Sequence, residues 1–329
     1  MATETNTFND SRVLTKLVRE LAREHGATVQ ALGAGWILRV TRGGTTRSVH
    51  GYTFDLNGAA THAIACDKAA TSDVLGAAGV PRVEHRLFLH PEMARYVRHP
   101  GNWTGMAQAF EAWGRDVVVK DNAGTGGRGV YRARSAVELE HAVLKLFERG
   151  HAAAVSPFVR IEDEVRFVLL AGKCEVVYSK QRPTVVGDGT RTVLELVAAG
   201  VAREGVTAEI GRWLANLEPE AAAVLSEVPG RGEERLLNWR HNLGQGASVK
   251  LMRAEDPSLR DRLELALAAG RALNLTFGSV DVVTVDGRPH VLEVNSGVMM
   301  EALAGVPGGL ELAKSVYARA FSLMMGEAR

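Results

Sequence analysis

VVVKDNAGTGGRGV, residues 117–130, decides the fold of this chain, because its glycines follow a strand that ends in a lysine and precede a second strand. Gly124, Gly126 and Gly129 formally satisfy GxGxxG, a spacing that marks a dinucleotide site only when a helix follows and turns its N-terminus to the pyrophosphate. Here residues 130–134 alternate apolar and polar, and helix begins only after a cap at Ser135. No Walker-type lysine follows the glycines either. What remains is strand, glycine flap, strand, with Lys120 at the end of the first strand. Glycine permits φ > 0 and close backbone approach, so such a flap can fold its N–H groups over a triphosphate. A flexible hairpin tip beside a surface lysine is the plainer alternative.

Far downstream the chain reads VDVVTVDGRPHVLEVNS, residues 280–296. Asp281, Glu293 and Asn295 offer oxygen ligands for a hard cation, and magnesium usually takes one or two carboxylates plus substrate phosphates. For Asp281 and Glu293 to share a face, the turn between them has to be of odd length and centred on Gly287. A two-residue turn of Asp286 and Gly287 would turn Glu293 away. The odd turn is therefore expected, and Asn295, two residues on, then points with Glu293. Val280, Val282, Val283, Val291, Leu292 and Val294 set these acids inside a sheet, where unpaired charge is costly. That argues against two strand carboxylates that merely face solvent. Flap and acidic strands together predict ATP and magnesium.

The remaining sequence bounds the class. A chain of 329 residues with 46% hydrophobic content supports two or three packed subdomains. A formal charge of +1, from 39 basic and 38 acidic residues, leaves no excess to draw the whole chain onto nucleic acid or an anionic membrane. Cys66 and Cys174 have no CxxC spacing, so two buried structural thiols are expected rather than a disulfide or zinc site. MATETNTFND lacks a basic-then-apolar signal pattern and no apolar run is long enough to span a bilayer, so the expectation is a cytoplasmic chain.

Read coarsely, the sequence is α+β or α/β throughout. Residues 11–26 predict an amphipathic helix, followed by strands over 29–41 and 46–54. Residues 67–79 predict a helix with Asp67 as N-cap, Lys68 in its first turn, and Gly79 with Pro81 as its stop. A helix over 104–113, strands over 116–120 and 129–134, and a capping box of Ser135 and Glu138 complete a compact lobe. Strands follow over 152–155, 164–171 and 174–181, the last two joined by Gly172 and Lys173. A helical insertion covers residues 190–232, then come a strand near Arg235, a helix over 255–274 and a C-terminal helix. The expected domains are residues 1–66, 67–155 and 156–329.

At this point the residues carry a family resemblance. The strand, Lys120, glycine flap and late D…ExN resemble the ATP-grasp superfamily over roughly residues 54–302. FDLNGAATHAIACDKAATSDVLGAAGVP, EDEVRFVLLAGK, VVGDGTRTVLELV and RHNLGQGA are similar to the ATP-grasp modules of cyanophycin synthetase and bifunctional glutathione synthetase. RHNLGQGA and LEVNS are also similar to ribosomal-protein glutamate ligases. The resemblance implies an ATP-grasp fold of two α+β lobes clamping ATP behind a small N-terminal α/β domain.

It also implies roles. Lys120 and Lys68 would contact the phosphates, and the flap of Gly124, Thr125, Gly126, Gly127 and Gly129 would cover them. Ser156, Phe158 and Val159 would meet adenine, and Glu164 would take the ribose hydroxyls. Asp281, Glu293 and Asn295 would hold two magnesium ions, with Mn2+ as an alternative, and Arg240 with Asn242 would flank the transferring phosphoryl group. Arg166, Lys180, Ser296 and Gly297 are the candidate substrate contacts. Lys68 could instead be an ordinary first-turn lysine, and Arg166 either a partner of Glu164 or a carboxylate clamp. Residues 187–189 could be a plain turn or an acceptor-site loop. His62, His85, His90 and His241 have no spacing that suggests a metal, so no catalytic histidine is expected.

The implied activity is a carboxylate-amine ligase that forms ADP through an acyl phosphate, acting on small acids and amines such as amino acids or peptides. A small-molecule phosphotransferase and a silent nucleotide-binding module are the alternatives. Many relatives follow ExN with Pro-Gly, whereas this chain has NSGVMMEAL, so Met299 and Met300 are expected to reshape a substrate-facing wall. The Mur-ligase-like and glutamate-cysteine ligase halves of the relatives are missing, which predicts a stand-alone module. A homodimer is the expected assembly.

Overall fold

Leu14, Leu17, Val18 and Leu21 recur at helical spacing and are buried, which makes α1 (Val13–Glu24) the cover of the first core. Four antiparallel strands follow in chain order, β1 (Thr28–Leu32), β2 (Ile37–Arg42), β3 (Thr45–His50) and β4 (Thr53–Phe54). Their buried side chains include Ala31, Leu38, Val40, Val49 and Phe54. The two strands expected over 29–41 and 46–54 are thus four, because Gly33 to Gly35 turn the chain within the first and Gly51 within the second. The computed structural model describes residues 8–204, 224–237, 239–245 and 247–327.

A short helix unforeseen in the sequence, α2 (Ala59–Ala65), leads into α3 (Lys68–Ala77). Asp67 caps α3 as expected, accepting from the Ala70 N–H at 2.7 Å. The next sheet has the order β5-β8-β6-β7, formed by β5 (Arg86–Phe88), β6 (Val117–Asp121), β7 (Val130–Ala133) and β8 (Ala153–Pro157). Between β5 and β6 lie α4 (Pro91–Tyr96) and α5 (Trp103–Ala112), and between β7 and β8 lies α6 (Ala136–Phe147). Met106 and Phe110 of α5 and Leu139, Val143 and Leu146 of α6 bury Val117, Val119 and Val155 of this sheet. Ser135 caps α6 from its Oγ to the Glu138 N–H at 3.2 Å, while Glu138 reaches back to the Arg134 N–H at 2.6 Å. Since β7 pairs antiparallel with β6, the glycine segment joins two strands and no helix receives it.

The larger sheet has the order β13-β10-β9-β14-β15. Its members are β9 (Asp163–Leu170), β10 (Lys173–Gln181), β13 (Ser248–Met252), β14 (Phe277–Val285) and β15 (Arg288–Asn295). α8 (Arg260–Ala272) lays Leu265, Ala266 and Ala269 on Val165, Phe167, Val280 and Val282. The turn from β9 to β10 is Ala171 and Gly172, both at positive φ, one residue earlier than expected. Between β10 and β13 come β11 (Thr184–Val186), α7 (Val193–Glu204) and β12 (Glu234–Leu236), with β11 and β12 paired. The rest of the expected helical insertion, residues 205–223, lies outside the described residues. α9 (Glu301–Ala304) and α10 (Gly309–Met324) close the described chain.

The expected odd turn is not what joins β14 to β15. Val285 pairs with Arg288, so the turn is the two residues Asp286 and Gly287, at φ 49° and 70°. Both need the left-handed region, as in the favoured two-residue hairpins. A β-bulge restores the parity that this turn would have lost: Val282 pairs with Val291 but Asp281 with Glu293, leaving Leu292 as the extra residue. Asp281 and Glu293 therefore stand directly opposite each other, as do Ser279 and Asn295.

Grouped by contacts, the described chain forms two units. One takes the chain up to Gly124, Gly129–Tyr178 and the chain from Leu251 onward; the other is Thr125–Arg128 with Ser179–Lys250. The boundaries expected at 66 and 155 both fall inside the first unit. Cys66 is exposed and Cys174 partly so, which corrects the expectation of two buried thiols. Among the described residues no helix is long and apolar enough to cross a membrane.

Candidate functional site

In the first unit, two lysines and a row of charged side chains come together. β9, β14 and β15 lie side by side with Arg166 opposite Asp281 and Asp281 opposite Glu293, so the row crosses three strands on one face. Glu164, two residues before Arg166, shares that face. Lys68 and Lys120 reach this region from α3 and β6.

Lys68 is held at its backbone and at its tip. Asn122, just beyond β6, accepts the Lys68 N–H at its carbonyl and the Ala69 N–H at its Oδ1, each at 3.1 Å. These two contacts fix the first turn of α3. The Lys68 Nζ donates to the Gly124 carbonyl at 2.6 Å and lies 3.8 Å from the Glu293 carboxylate. An unengaged first-turn lysine would do neither. The Lys120 Nζ sits 2.9 Å from His85 Nε2. Burial lowers the Lys120 pKa to about 8, with Glu293 pulling it up, Lys68 pushing it further down and Glu164 pulling it up.

Arg166 has a partner that neither sequence alternative named. Its Nε and Nη2 donate to the two Asp281 oxygens at 2.7 and 2.6 Å, a bidentate pair in which the Asp281 side chain is 1% exposed. Burial opposes the guanidinium charge, yet Asp281, Tyr178 and Glu293 together more than offset it, and the Arg166 pKa stands well above the usual range.

The set fits a hard cation in part. Glu293 keeps a side-chain exposure of 30%. Asn295 Nδ2 and Ser279 Oγ, on facing residues, are buried with no hydrogen-bond partner among the described residues. Amide orientation being interchangeable, Asn295 can present its oxygen there instead. Each Asp281 oxygen already accepts one bond from Arg166. Among the described residues no cluster of three His, Cys, Asp or Glu could hold a metal. A cation here would rest on Glu293, Asn295 and substrate oxygens, the pattern typical of magnesium.

The expected adenine segment is firmly built into the sheet. Ser156 is buried and pairs with Val118, and the Phe158 N–H donates to the Asp116 carbonyl at 2.9 Å, so that donor is committed. The Arg132 guanidinium lies 3.5 Å from the centroid of the Phe158 ring. Val159 follows directly. Glu164 is buried and close enough to influence Lys120.

Beyond the acid row, Ser296 is buried with its Oγ 2.6 Å from His62 Nδ1. A Cβ on Gly297 would stand 3.2 Å from Thr53 Oγ1, and the Val298 N–H donates to the Tyr52 carbonyl at 3.1 Å. The segment after Asn295 thus packs on the chain around β4. Met299 is 44% exposed whereas Met300 is buried, so of the two only Met299 has its side chain open to a ligand.

The second unit carries the rest of the predicted set: Thr125, Gly126, Gly127, Lys180, Arg240 and Asn242. Gly127 has φ +72°, and a Cβ there would fall 2.7 Å from the Asn242 side chain. The tip of the glycine flap therefore meets Asn242, far away in sequence. The Arg240 guanidinium lies over Trp239, 5.1 Å from the ring centroid, and Lys180 is buried. Residues 187–189 form a turn in which Asp188 accepts the Thr190 and Arg191 N–H groups, both at 2.9 Å.

Sequence reading sets His85 and His62 aside for want of a metal spacing, and it does not single out Asn122. No local signal marks His85; it meets Lys120 because β5 joins the same sheet as β6 across β8. Titration of Lys120 gives a direct expectation. Above pH 8 the folded, ligand-free chain holds neutral Lys120 while the unfolded chain keeps it charged up to about pH 10.4. The unfolded state then binds more protons, so this group's penalty, full below pH 8, is relieved as pH rises through that window. If a polyphosphate is held by the charged form of Lys120, its Kd, followed by calorimetry from pH 7 to 10, should weaken about tenfold per pH unit above roughly 8.

No family model matches the chain. The cyanophycin synthetases of Trichormus variabilis and of Nostoc sp. are each 25% identical to it over 306 residues, spanning 89% of this chain and 32% of theirs. The chain thus spans about a third of the length of these curated relatives. A bifunctional glutathione synthetase from Pasteurella multocida superposes with a TM-score of 0.56 at 17% identity, over 96% of this chain and 44% of that one. A D-alanine–D-alanine ligase from Bacillus anthracis does so with a TM-score of 0.53 at 15% identity, over 84% and 71%.

Proposed function

The chain has the ATP-grasp fold, and on that premise we propose that it is an ATP-dependent, ADP-forming carboxylate-amine ligase working on amino-acid or peptide substrates. The observation that carries the reading is the convergence of Lys68 and Lys120 on the row of Asp281, Glu293 and Asn295 within one compact unit. Cations for phosphate and oxygens for a metal are what a triphosphate site needs side by side.

Phosphoryl transfer asks the protein for positioning and charge neutralisation. In this reading Lys120 and Lys68 bind the phosphates, Gly124 to Gly129 serve as their cover, and Arg240 with Asn242 act on the transferring group. Ser156 to Val159 receive the adenine and Glu164 the ribose. Glu293 and Asn295 would hold magnesium, or manganese in its place, with Asp281 as a third ligand through the lone pairs that Arg166 leaves open. The ions, two in this reading, would polarise the phosphate oxygens and screen their charge. A substrate carboxylate oxygen attacks the γ-phosphorus, the bond to ADP breaks, and an acyl phosphate forms. The amine then attacks the acyl carbon, the C–N bond forms, and phosphate leaves with the electron pair. Arg166, Lys180, Ser296 and Gly297 line the substrate side. Domains at 1–66, 67–155 and 156–329, a cytoplasmic location and a homodimer complete the proposal.

A screen of amino-acid pairs with MgATP, read by phosphate release and product mass, tests it. ADP and phosphate should appear only when acid and amine are both supplied. AMP would sink the ligase reading. A stable phosphorylated alcohol would point to a phosphotransferase, and ATP binding without ADP release for any pair would point to a silent module.

A further inference from the structure

His85 is 2% exposed and lies outside every role given above. Its Nδ1 is 3.0 Å from the Val83 carbonyl, which can only accept, so Nδ1 carries the proton. Nε2 then presents a lone pair, and the Lys120 ammonium donates to it at 2.9 Å. The backbone is fixed as well, because the His85 N–H donates to Ser72 Oγ at 3.0 Å. Ser72 lies on α3, one turn after Lys68, and its hydroxyl also takes the Arg82 Nε–H at 3.1 Å.

We propose that His85 is a positioning residue for the nucleotide: its neutral imidazole holds the Lys120 ammonium where the phosphates bind. A lysine side chain loses roughly 2 kcal/mol of rotamer entropy on being fixed, and a buried ammonium without an acceptor adds a desolvation cost. His85 supplies the acceptor before the ligand arrives. It also stays neutral at pH 7, since burial first, then Lys120, Lys68 and Arg82, press its pKa well below the ordinary value. An imidazolium at this place would repel Lys120 instead of holding it. Because Ser72 and Lys68 share α3, the same helix sets the position of both lysines.

The inference rests on the nucleotide reading but not on ligase chemistry, so its test is a binding measurement. MgATP and adenosine are titrated calorimetrically into the wild type, His85→Gln, His85→Leu and His85→Met, each checked by thermal unfolding. Losing one charge-assisted hydrogen bond should weaken MgATP by about tenfold or more in the Leu and Met variants. Adenosine, which has no phosphate, should bind all four alike. Gln keeps an acceptor near the Nε2 position and should stay within about threefold of wild type, since the bond to Lys120 is retained. Wild-type affinity for MgATP in both apolar variants would overturn the proposal. So would a parallel loss of adenosine, which marks a merely structural role, or a Gln variant as weak as Leu. A wild type that binds no MgATP would overturn the function reading together with it; the expected pattern without turnover on any acid-amine pair would remove the ligase reading alone.

Discussion

Glu293→Gln is expected to lower ADP release by about 10²–10³-fold while thermal unfolding moves little, the scale seen when one electrostatic partner of a transition state is removed. The substitution keeps shape and takes only the charge. Glu293 stands opposite Asp281 on a buried sheet, lies 3.8 Å from Lys68, and raises the pKa of Lys120. Neutral Gln would leave two cations without their shared counter-ion and the metal set without its accessible carboxylate. The fold is spared because the side chain is part-exposed and its strand pairing is a backbone matter. Full activity in this variant would remove Glu293 from the site.

Asp281→Ala is expected to cost about 3–5 kcal/mol of stability, the range for stripping one partner from a buried ion pair. Both carboxylate oxygens accept from Arg166, and the two side chains are 1% and 15% exposed. Alanine would strand a guanidinium among β9, β14 and β15. The double change Arg166→Met with Asp281→Leu removes both charges, so its urea midpoint should return to about that of the wild type. Turnover should return in neither. A single variant as stable as wild type would show that the pair contributes nothing, and an active double variant would show that neither residue serves the reaction.

What the sequence made legible was local. Asp67 and Ser135 cap the helices they were expected to cap, and the alternation over 130–134 excluded a dinucleotide loop, as the β6–β7 pairing bears out. Glycine chemistry, capping and period-two patterning act over a few residues and can be read there. The hairpin of the acids was misread at its turn. Its premise, that Asp281 and Glu293 share a face, holds, but by a bulge at Leu292, which no composition cue marks amid an apolar run. His85 and the Arg166–Asp281 pair depend on which strands become neighbours, β5 with β8 and β9 with β14, and that is decided by the whole sheet. The two positive-φ residues at the β9–β10 turn were displaced by one because Ala171 is not a residue usually chosen for that conformation.

Since the bulge rather than the hairpin end sets which way Glu293 and Asn295 look, the Asp286–Gly287 tip and the acids four or more residues away answer to separate constraints. The tip keeps its own demands, two residues in the left-handed region and a Gly287 N–H given to Glu162 Oε1 at 3.1 Å. A fluorophore or spin label belongs on the exposed Arg288 beside it, where it would ride on the same ribbon as the acids and report their distance to a labelled nucleotide.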